Sequence, residues 1–475
     1  MDEDTLDAAS SNSSDANEIA KIEAESGSSM VTISPMDKAR RRIARQQRQI
    51  TRLRESVSYR LGRHVTLAIE KPWRIPFLPI SFPIFLVLLG LERLGRRPQK
   101  VIEVDYTTAP EINSQSTPVK QEAPAPENSV VFFPTNGVGF GHFTRLYSVA
   151  RRLKKEDPNC EIIFFTTMPT LHIPYSEGYI TYHLAGRKKD GKMEASKWNM
   201  MVEEMITLVF ETHRPKAFVF DGAFPYRGML NAIRDSSIPN KVWVRRGMFK
   251  KGSKIPVDSI QHFDLVVHPG DAVESESIES EHDVETMHTP PMSLFDRDEI
   301  MSRDKARRRI GLPSDCMAVY VQLGAGRIND INSEVRIVVN AILANEQAHV
   351  ILGESMLGER LDIDMDRVHI IRDYPNAIYL AAFDFSVQAG GYNSFHEMRQ
   401  MRIPTLFLPN MATGMDDQLA RCTVAETESW GIVNQDRSEE AINSDVESLL
   451  GMKVTESGNK IENGSDILSK RLVKN

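Results

Sequence analysis

Four glycine-bearing clusters place exposed main-chain amides beside side chains able to move a proton or grip an anion. The first reads Gly137-Val138-Gly139-Phe140-Gly141-His142-Phe143-Thr144-Arg145. An apolar run at 130–133 precedes it, and Leu146, Val149, Ala150 and Leu153 follow at helical spacing, so the chain passes from strand through loop into helix. Such a loop lets backbone N–H groups approach a ligand, and the helix N-terminus adds positive potential. There the dipole disfavours an imidazolium and leaves His142 neutral and basic, although packing the loop is an equally good use of the ring. The second cluster, Gly324-Ala325-Gly326-Arg327, ends a strand at 318–323, and its arginine is placed to offset phosphate charge. The third, Gly390-Gly391-Tyr392-Asn393-Ser394-Phe395-His396-Glu397, opens a helix whose first amides suit a diphosphate. Glu397, read as lying in the first turn, could accept both ribose hydroxyls. Ser394 and Glu397 also spell an S-x-x-E capping box, which needs no ligand and which the spacing alone favours. The fourth, Gly414-Met415-Asp416-Asp417-Gln418, starts another helix that Asp416 could simply cap.

Single residues add to these. Asp221 stands at the C-terminal end of a strand at 217–220, the edge where open α/β sheets place ligands. In a partly dry cleft its pKa would rise, making it a second candidate base; capping the next turn is the plain alternative. Arg245-Arg246-Gly247 also ends a strand, where Arg245 could hold an anionic acceptor or only face solvent, and Arg227 stands near the start of a helix at 226–234. The first loop lacks the G-x-G-x-x-G spacing, and the next strand ends in Thr166-Thr167 where a dinucleotide fold needs an acid, so NAD is disfavoured. Asp362-Ile363-Asp364-Met365-Asp366 imitates a metal-binding D-x-D but sits in a polar stretch and reads as a solvated loop.

The elements that must carry these clusters alternate. Strands at 130–133, 162–165, 217–220, 242–245 and 265–267 interleave with helices at 195–212 and 226–234, which predicts a parallel sheet. After an irregular acidic stretch at 271–285, a second series follows: helix 303–310, strand 318–323, helix 334–344, strands 350–352 and 368–371, helix 377–381, and strands 385–388 and 405–408. Two strand-glycine-helix entries imply two halves, at 129–290 and 291–452, with a polar C-terminal tail at 453–475.

In its three best motifs the chain resembles the GT-B glycosyltransferases of the MurG type, family 28, over roughly 129–450. The matching motifs are the glycine loop ending in Gly141-His142, the Gly390-Gly391-Tyr392-Asn393-Ser394 loop with Glu397 beyond it, and the Asp416-Asp417-Gln418 helix start. The resemblance implies two Rossmann-like domains facing across a cleft. It places the donor nucleotide in the second, with Glu397 on the ribose, Gly324 to Gly326 and Gly391 to Ser394 near the diphosphate, and Asp417 and Gln418 on sugar hydroxyls. The acceptor falls to the first, near Gly139, Gly141, Arg145, Arg227 and Arg245. The implied activity is inverting transfer from a nucleotide-sugar, expected to be UDP-linked, to a lipid-linked or polysaccharide acceptor, with no cofactor and no metal. His142 is preferred over Asp221 as base. The rivals are a nucleotide-sugar 2-epimerase, which shares the architecture, and a non-catalytic nucleotide-sugar sensor or assembly protein.

Composition sets the frame. The 475 residues carry a net charge of -7 and are 41% hydrophobic, which supports ordinary cores and argues against a nucleic-acid partner. The cysteines, Cys160, Cys316 and Cys422, are widely spaced and read as reduced thiols of a cytoplasmic protein. Residues 1–35 are acidic, polar and expected to be disordered. Between 36 and 63 arginines dominate a pattern with Ile43, Ile50, Leu53, Val57 and Leu61 at helical spacing. An apolar stretch follows at 75–91, short and interrupted by Pro76, Pro79 and Pro83, with Trp73 and arginines at its borders. Residues 36–103 are thus expected to form a basic helix and a surface-seeking segment that lies on the cytoplasmic face of a membrane or packs in an oligomer interface. A Pro- and Glu-rich linker at 104–128 separates them from the core.

Overall fold

The computed structural model describes residues 57–93, 125–135, 139–187, 193–246, 259–273, 284–324, 331–354, 356, 363–411, 416–454 and 462–474. Ala325, Gly326 and Arg327, most of the arginine-rich helix, the acidic tail and the linker lie outside them. The chain divides into two compact units, 1–120 and 121–475.

The described part of the first unit is a helical pair, α1 (Val57–Glu70) and α2 (Leu78–Arg93), joined by a 3-10 turn at Pro72–Phe77. The His64 ring stacks on Phe85 at 4.7 Å and its Nε2 lies 3.2 Å from Ser81 Oγ, which pins α1 to α2. Pro79 falls in the first turn of α2, where a missing N–H costs nothing, and Pro83 is accommodated inside the helix. Among the described residues, no helix is long and apolar enough to cross a membrane.

The second unit contains two parallel sheets. The first runs β1 (Glu127–Pro134), β2 (Glu161–Thr166), β3 (Ile180–His183), β4 (Pro215–Asp221), β5 (Asn240–Val244), β6 (Leu265–Pro269) and β7 (Glu285–Thr289), in spatial order 3-2-1-4-5-6-7. Its helices are α3 (Gly141–Glu156), α4 (Ala195–His213) and α5 (Arg227–Arg234). Residues 130–133 are apolar without a break because β1 is covered on both faces. Val130 and Phe132 pack with Leu146, Val149 and Leu153 of α3, while Val131 and Phe133 pack with Val202 and Ile206 of α4. The second sheet holds β8 (Met317–Gln322), β9 (Ala348–Gly353), β10 (Val368–Ile371), β11 (Phe385–Gln388), β12 (Thr405–Phe407) and β13 (Gly431–Val433), in order 10-9-8-11-12-13. Helices α6 (Arg303–Ile310), α7 (Ile331–Leu343), α8 (Tyr392–Met401), α9 (Gln418–Thr427) and α10 (Glu439–Leu450) accompany it.

Each sheet reverses its winding once, between β1 and β4 and between β8 and β11. Ligand crevices in open α/β sheets form beyond the strand ends at such reversals. The loops after β1, β4, β8 and β11 are those the sequence marked with His142, Asp221, Gly324 and Gly390. The architecture is thus two Rossmann-like α/β halves, as the GT-B resemblance implied.

Two expectations change, and one strand went unanticipated: β7 begins at Glu285, the last residue of the acidic stretch, and pairs with β6 as an edge strand. The helix expected at 377–381 is a 3-10 helix, Asn376–Ala382. The polar tail at 453–475 is no tail at its end: α11 (Gly464–Lys474) returns to the first half and lies against α3. Leu468 and Leu472 are buried there, Ser148 Oγ donates to Ser465 Oγ at 2.8 Å, and Arg152 Nε meets Asp466 Oδ1 at 2.9 Å. Two leucines four residues apart supply the apolar stripe, and the polar remainder of the segment hid it.

Candidate active site between two parallel sheets

Asp221 is the last residue of β4 and is buried to 1% exposure. His142 stands in the first turn of α3, and its Nδ1 lies 2.6 Å from Asp221 Oδ1. An ionised carboxylate only accepts, so Nδ1 carries the proton and Nε2 is left as the basic atom. Arg145, one turn further along α3, donates from Nε to Asp221 Oδ2 at 2.8 Å and from Nη2 to Oδ1 at 2.7 Å. Burial alone raises the Asp221 pKa, but Arg145 and then His142 outweigh it and hold the carboxyl below its ordinary value. Burial lowers the His142 pKa and Arg145 and Arg246 add to that, against the upward pull of Asp221, so the ring is neutral near pH 7. The two residues offered as alternative bases are therefore one hydrogen-bonded pair, in which Asp221 accepts from His142 Nδ1 and fixes the ring.

Across the cleft, α8 begins at Tyr392, and its N-cap is Gly391, which offers no side-chain cap. The first amides of a helix have no partner inside it, so those of α8 stay available. Gly390 just before has φ +77, and a Cβ there would come 2.2 Å from Cys422 Sγ, so glycine is required on both counts. The expected capping box does not form: Ser394 is the third residue of α8, and its Oγ donates back to Gly391 O at 3.2 Å. Glu397 accordingly lies in the second turn rather than the first. Among the described residues it has no hydrogen-bond partner, and desolvation pushes its pKa up to about 8.

His142 and Arg145 on one side and the opening of α8 with Glu397 on the other line one cavity of about 500 Å³, within the range of small-ligand sites. Gly139, Gly141, His142 and Arg145 come from the first half; Gly324, Gly391, Tyr392, Asn393, Ser394, Glu397, Asp416 and Gln418 come from the second. Asn393 Nδ2 donates across the cleft to Gly141 O at 3.5 Å, and Thr144 Oγ1 lies 2.9 Å from Tyr374 OH. Tyr374 also stacks on Phe140 at 4.8 Å, closing one end of the opening.

Other predicted residues are employed elsewhere. Gly390 stands behind the cavity wall. Asp417, not Asp416, caps α9, accepting from Ala420 N at 3.0 Å. Asp416 instead takes Arg421 Nη2 at 2.7 Å and Arg246 Nη1 at 3.1 Å. Arg227 is exposed at the start of α5, outside the cavity. Arg245 is buried against the Trp243 ring at 4.9 Å, whereas its neighbour Arg246 lines the cavity. Strand alternation contains that distinction, because 245 shares the parity of Trp243 in β5 and 246 does not. Asp364 and Asp366 are exposed, as a solvated loop requires, and Asp362 is outside the described residues.

The sequence reading missed a buried ionic junction. Asp271, just beyond β6, takes both Nε and Nη2 of Arg421 at 2.8 Å, and His396 Nε2 lies 3.2 Å from Asp271 Oδ1. Arg421 Nη1 also donates to Gly390 O at 2.9 Å, and the Tyr392 hydroxyl donates to Gly270 O at 2.8 Å. The loop before α8 is thereby bolted to the first half by partners remote in sequence, which no local pattern announces.

No family model matches the chain. No curated protein matches it either. Among solved structures, the calicheamicin glycosyltransferase CalG4 is similar at 14% identity and TM-score 0.48, over 73% of this chain and 93% of that one. MurG of Acinetobacter baumannii is similar at 10% identity and TM-score 0.45, over 73% and 99%. A UDP-GlcNAc 2-epimerase from Methanocaldococcus jannaschii is similar at 12% identity and TM-score 0.46, over 73% and 100%.

Proposed function

We propose that this chain is a glycosyltransferase that moves a sugar, with inversion, from a nucleotide-sugar of the UDP-linked kind to the hydroxyl of a lipid-linked or polysaccharide acceptor. The observation that carries the reading is the His142–Asp221 contact of 2.6 Å, with His142 lining the same cavity as the uncapped start of α8. Glycosyl transfer needs a proton removed on one side and negative charge received on the other, as the leaving diphosphate develops it. His142 Nε2 takes the acceptor proton, Asp221 stabilises the imidazolium that forms, and the amides of Tyr392, Asn393 and Ser394 receive the diphosphate. Glu397 accepts hydrogen bonds from the ribose, and Gln418 and Asp416 face the sugar. No metal is needed for these roles.

The test is product analysis after incubation of the full chain with UDP-, GDP- and dTDP-sugars, with and without lipid-linked and glycan acceptors. Acceptor-dependent release of the nucleoside diphosphate supports the reading. An epimerised nucleotide-sugar formed from donor alone overturns it in favour of a 2-epimerase.

Attachment to the cytoplasmic face of an anionic membrane belongs to the same proposal. Trp73, Ile75, Phe77, Ile80, Ile84 and Val87 are exposed on the helical pair, and the Arg74 guanidinium lies 5.0 Å over the Trp73 ring. Apolar side chains with interfacial Trp and Arg suit insertion to headgroup depth. Deleting 36–97 is expected to abolish co-sedimentation with phosphatidylglycerol vesicles, and unchanged sedimentation rules the anchor out.

A further inference from the structure

Arg145 was expected to touch the acceptor, yet it is 2% exposed and its Nε and Nη2 are occupied by Asp221. It follows His142 by three residues on α3, so helix geometry sets both side chains on one face. Its fork holds both oxygens of Asp221, at 2.8 and 2.7 Å, one of them the oxygen that accepts the hydrogen bond from His142 Nδ1. A planar fork fixes the plane of a carboxylate, which a lysine ammonium cannot do. On its other side the guanidinium lies 5.3 Å from the centre of the Tyr392 ring, at the opening of α8 across the cleft.

We propose that Arg145 is a positioning residue: it holds Asp221 in the plane that orients His142 and, by resting on Tyr392, makes that orientation depend on the donor loop being seated. The inference rests on the reading of His142 as the base of a glycosyl transfer. The charged groups facing His142 are Asp221 from β4, Arg145 from its own helix and Arg246 from the loop after β5. Those facing Arg145 include Tyr392 and, from the approach to α9, Asp416. Removing the Arg145 cation leaves Asp221 to pull the ring pKa upward.

The experiment follows the His142 ring by NMR in the full, histidine-labelled chain, as wild type, Arg145→Gln, Arg145→Lys and Tyr392→Leu, beside kcat and donor KM. Arg145→Gln is expected to raise the titration midpoint and to move the acid limb of kcat/KM with it. Its kcat falls about 10- to 100-fold, a part of the roughly 10²- to 10⁴-fold a general base supplies, while donor KM changes little. Arg145→Lys keeps the charge and loses the fork, so it restores the midpoint but not kcat. Tyr392→Leu, which frees the far side of the guanidinium, shifts the midpoint as well.

An unmoved midpoint in Arg145→Gln overturns the inference, and so does wild-type kcat in Arg145→Lys, which stays informative where Arg145→Gln fails to fold. The titration needs no turnover. A shifted midpoint in a chain that transfers no sugar therefore retires the reaction and keeps the positioning role.

Discussion

At the reversal between β1 and β4, His142, Arg145 and Asp221 sit within hydrogen-bond reach of one another; at the reversal between β8 and β11, the opening offers backbone amides and the lone carboxyl of Glu397. The winding is the same in both sheets, so the difference lies in what the loops carry. A proton is moved by a titratable side chain whose neighbours set its pKa, and such groups must be packed, paired and partly dried. A diphosphate can be held by amides that a helix start leaves unpartnered, and at α8 those belong to Tyr392, Asn393 and Ser394, after an N-cap glycine with no side chain to cap them. On the proposed reading, a titratable side-chain pair serves the acceptor, and backbone amides with Glu397, Asp416 and Gln418 serve the donor.

That division is sharpest when broken at His142. His142→Ala should lower kcat by about 10²- to 10⁴-fold, the usual share of a general base, and leave the affinity for nucleoside diphosphate as it was. Wild-type turnover would remove the pair from the mechanism. Asp221→Asn should cost stability as well as turnover, because Arg145 is then left buried without its counter-charge. Breaking a buried ion pair from one side costs about 3–5 kcal/mol, read as a lower denaturation midpoint.

In the second half, Glu397 makes a pH-dependent prediction. In the unfolded chain it titrates near 4.5, whereas in the fold desolvation raises it to about 8. Between those values the folded state keeps a proton that the unfolded chain has lost, so this stability is complete below 4.5 and drains away as pH rises toward 8. Glu397→Gln should therefore match wild type in Tm near the low end and exceed it at the high end. Parallel Tm curves would contradict the desolvated site. The smallest effect is expected at Arg227, outside the cavity: Arg227→Ala should alter stability by no more than about 0.5 kcal/mol and leave kcat/KM unchanged.

How much of this was legible beforehand follows from how local each signal is. The strands of both sheets read directly, since β1 and its neighbours are apolar on both faces and the glycine loops mark where they end. Short edge strands such as β3 and β13, with three or four residues each, left too little pattern to find. The S-x-x-E match misled because Gly391 already ends the strand-side loop, and the helix starts at Tyr392, ahead of Ser394. Arg245 was preferred to Arg246 by ignoring the alternation that the adjoining Trp243 fixes. The pairing of His142 with Asp221 spans 79 residues and comes from strand order, and the Asp271–Arg421 pair spans 150, so neither had a local trace.

The central claim is that the amides opening α8, with Glu397 beneath them, hold the nucleotide while His142 waits opposite. Calorimetric titration of UDP, GDP and dTDP into the full chain and into its Glu397→Gln and His142→Ala variants addresses it directly. The account predicts that one of these nucleotides binds, about tenfold more weakly after Glu397→Gln, the loss of roughly one hydrogen bond, and equally well after His142→Ala. Absence of binding by all three, or an equal loss in both variants, would contradict it.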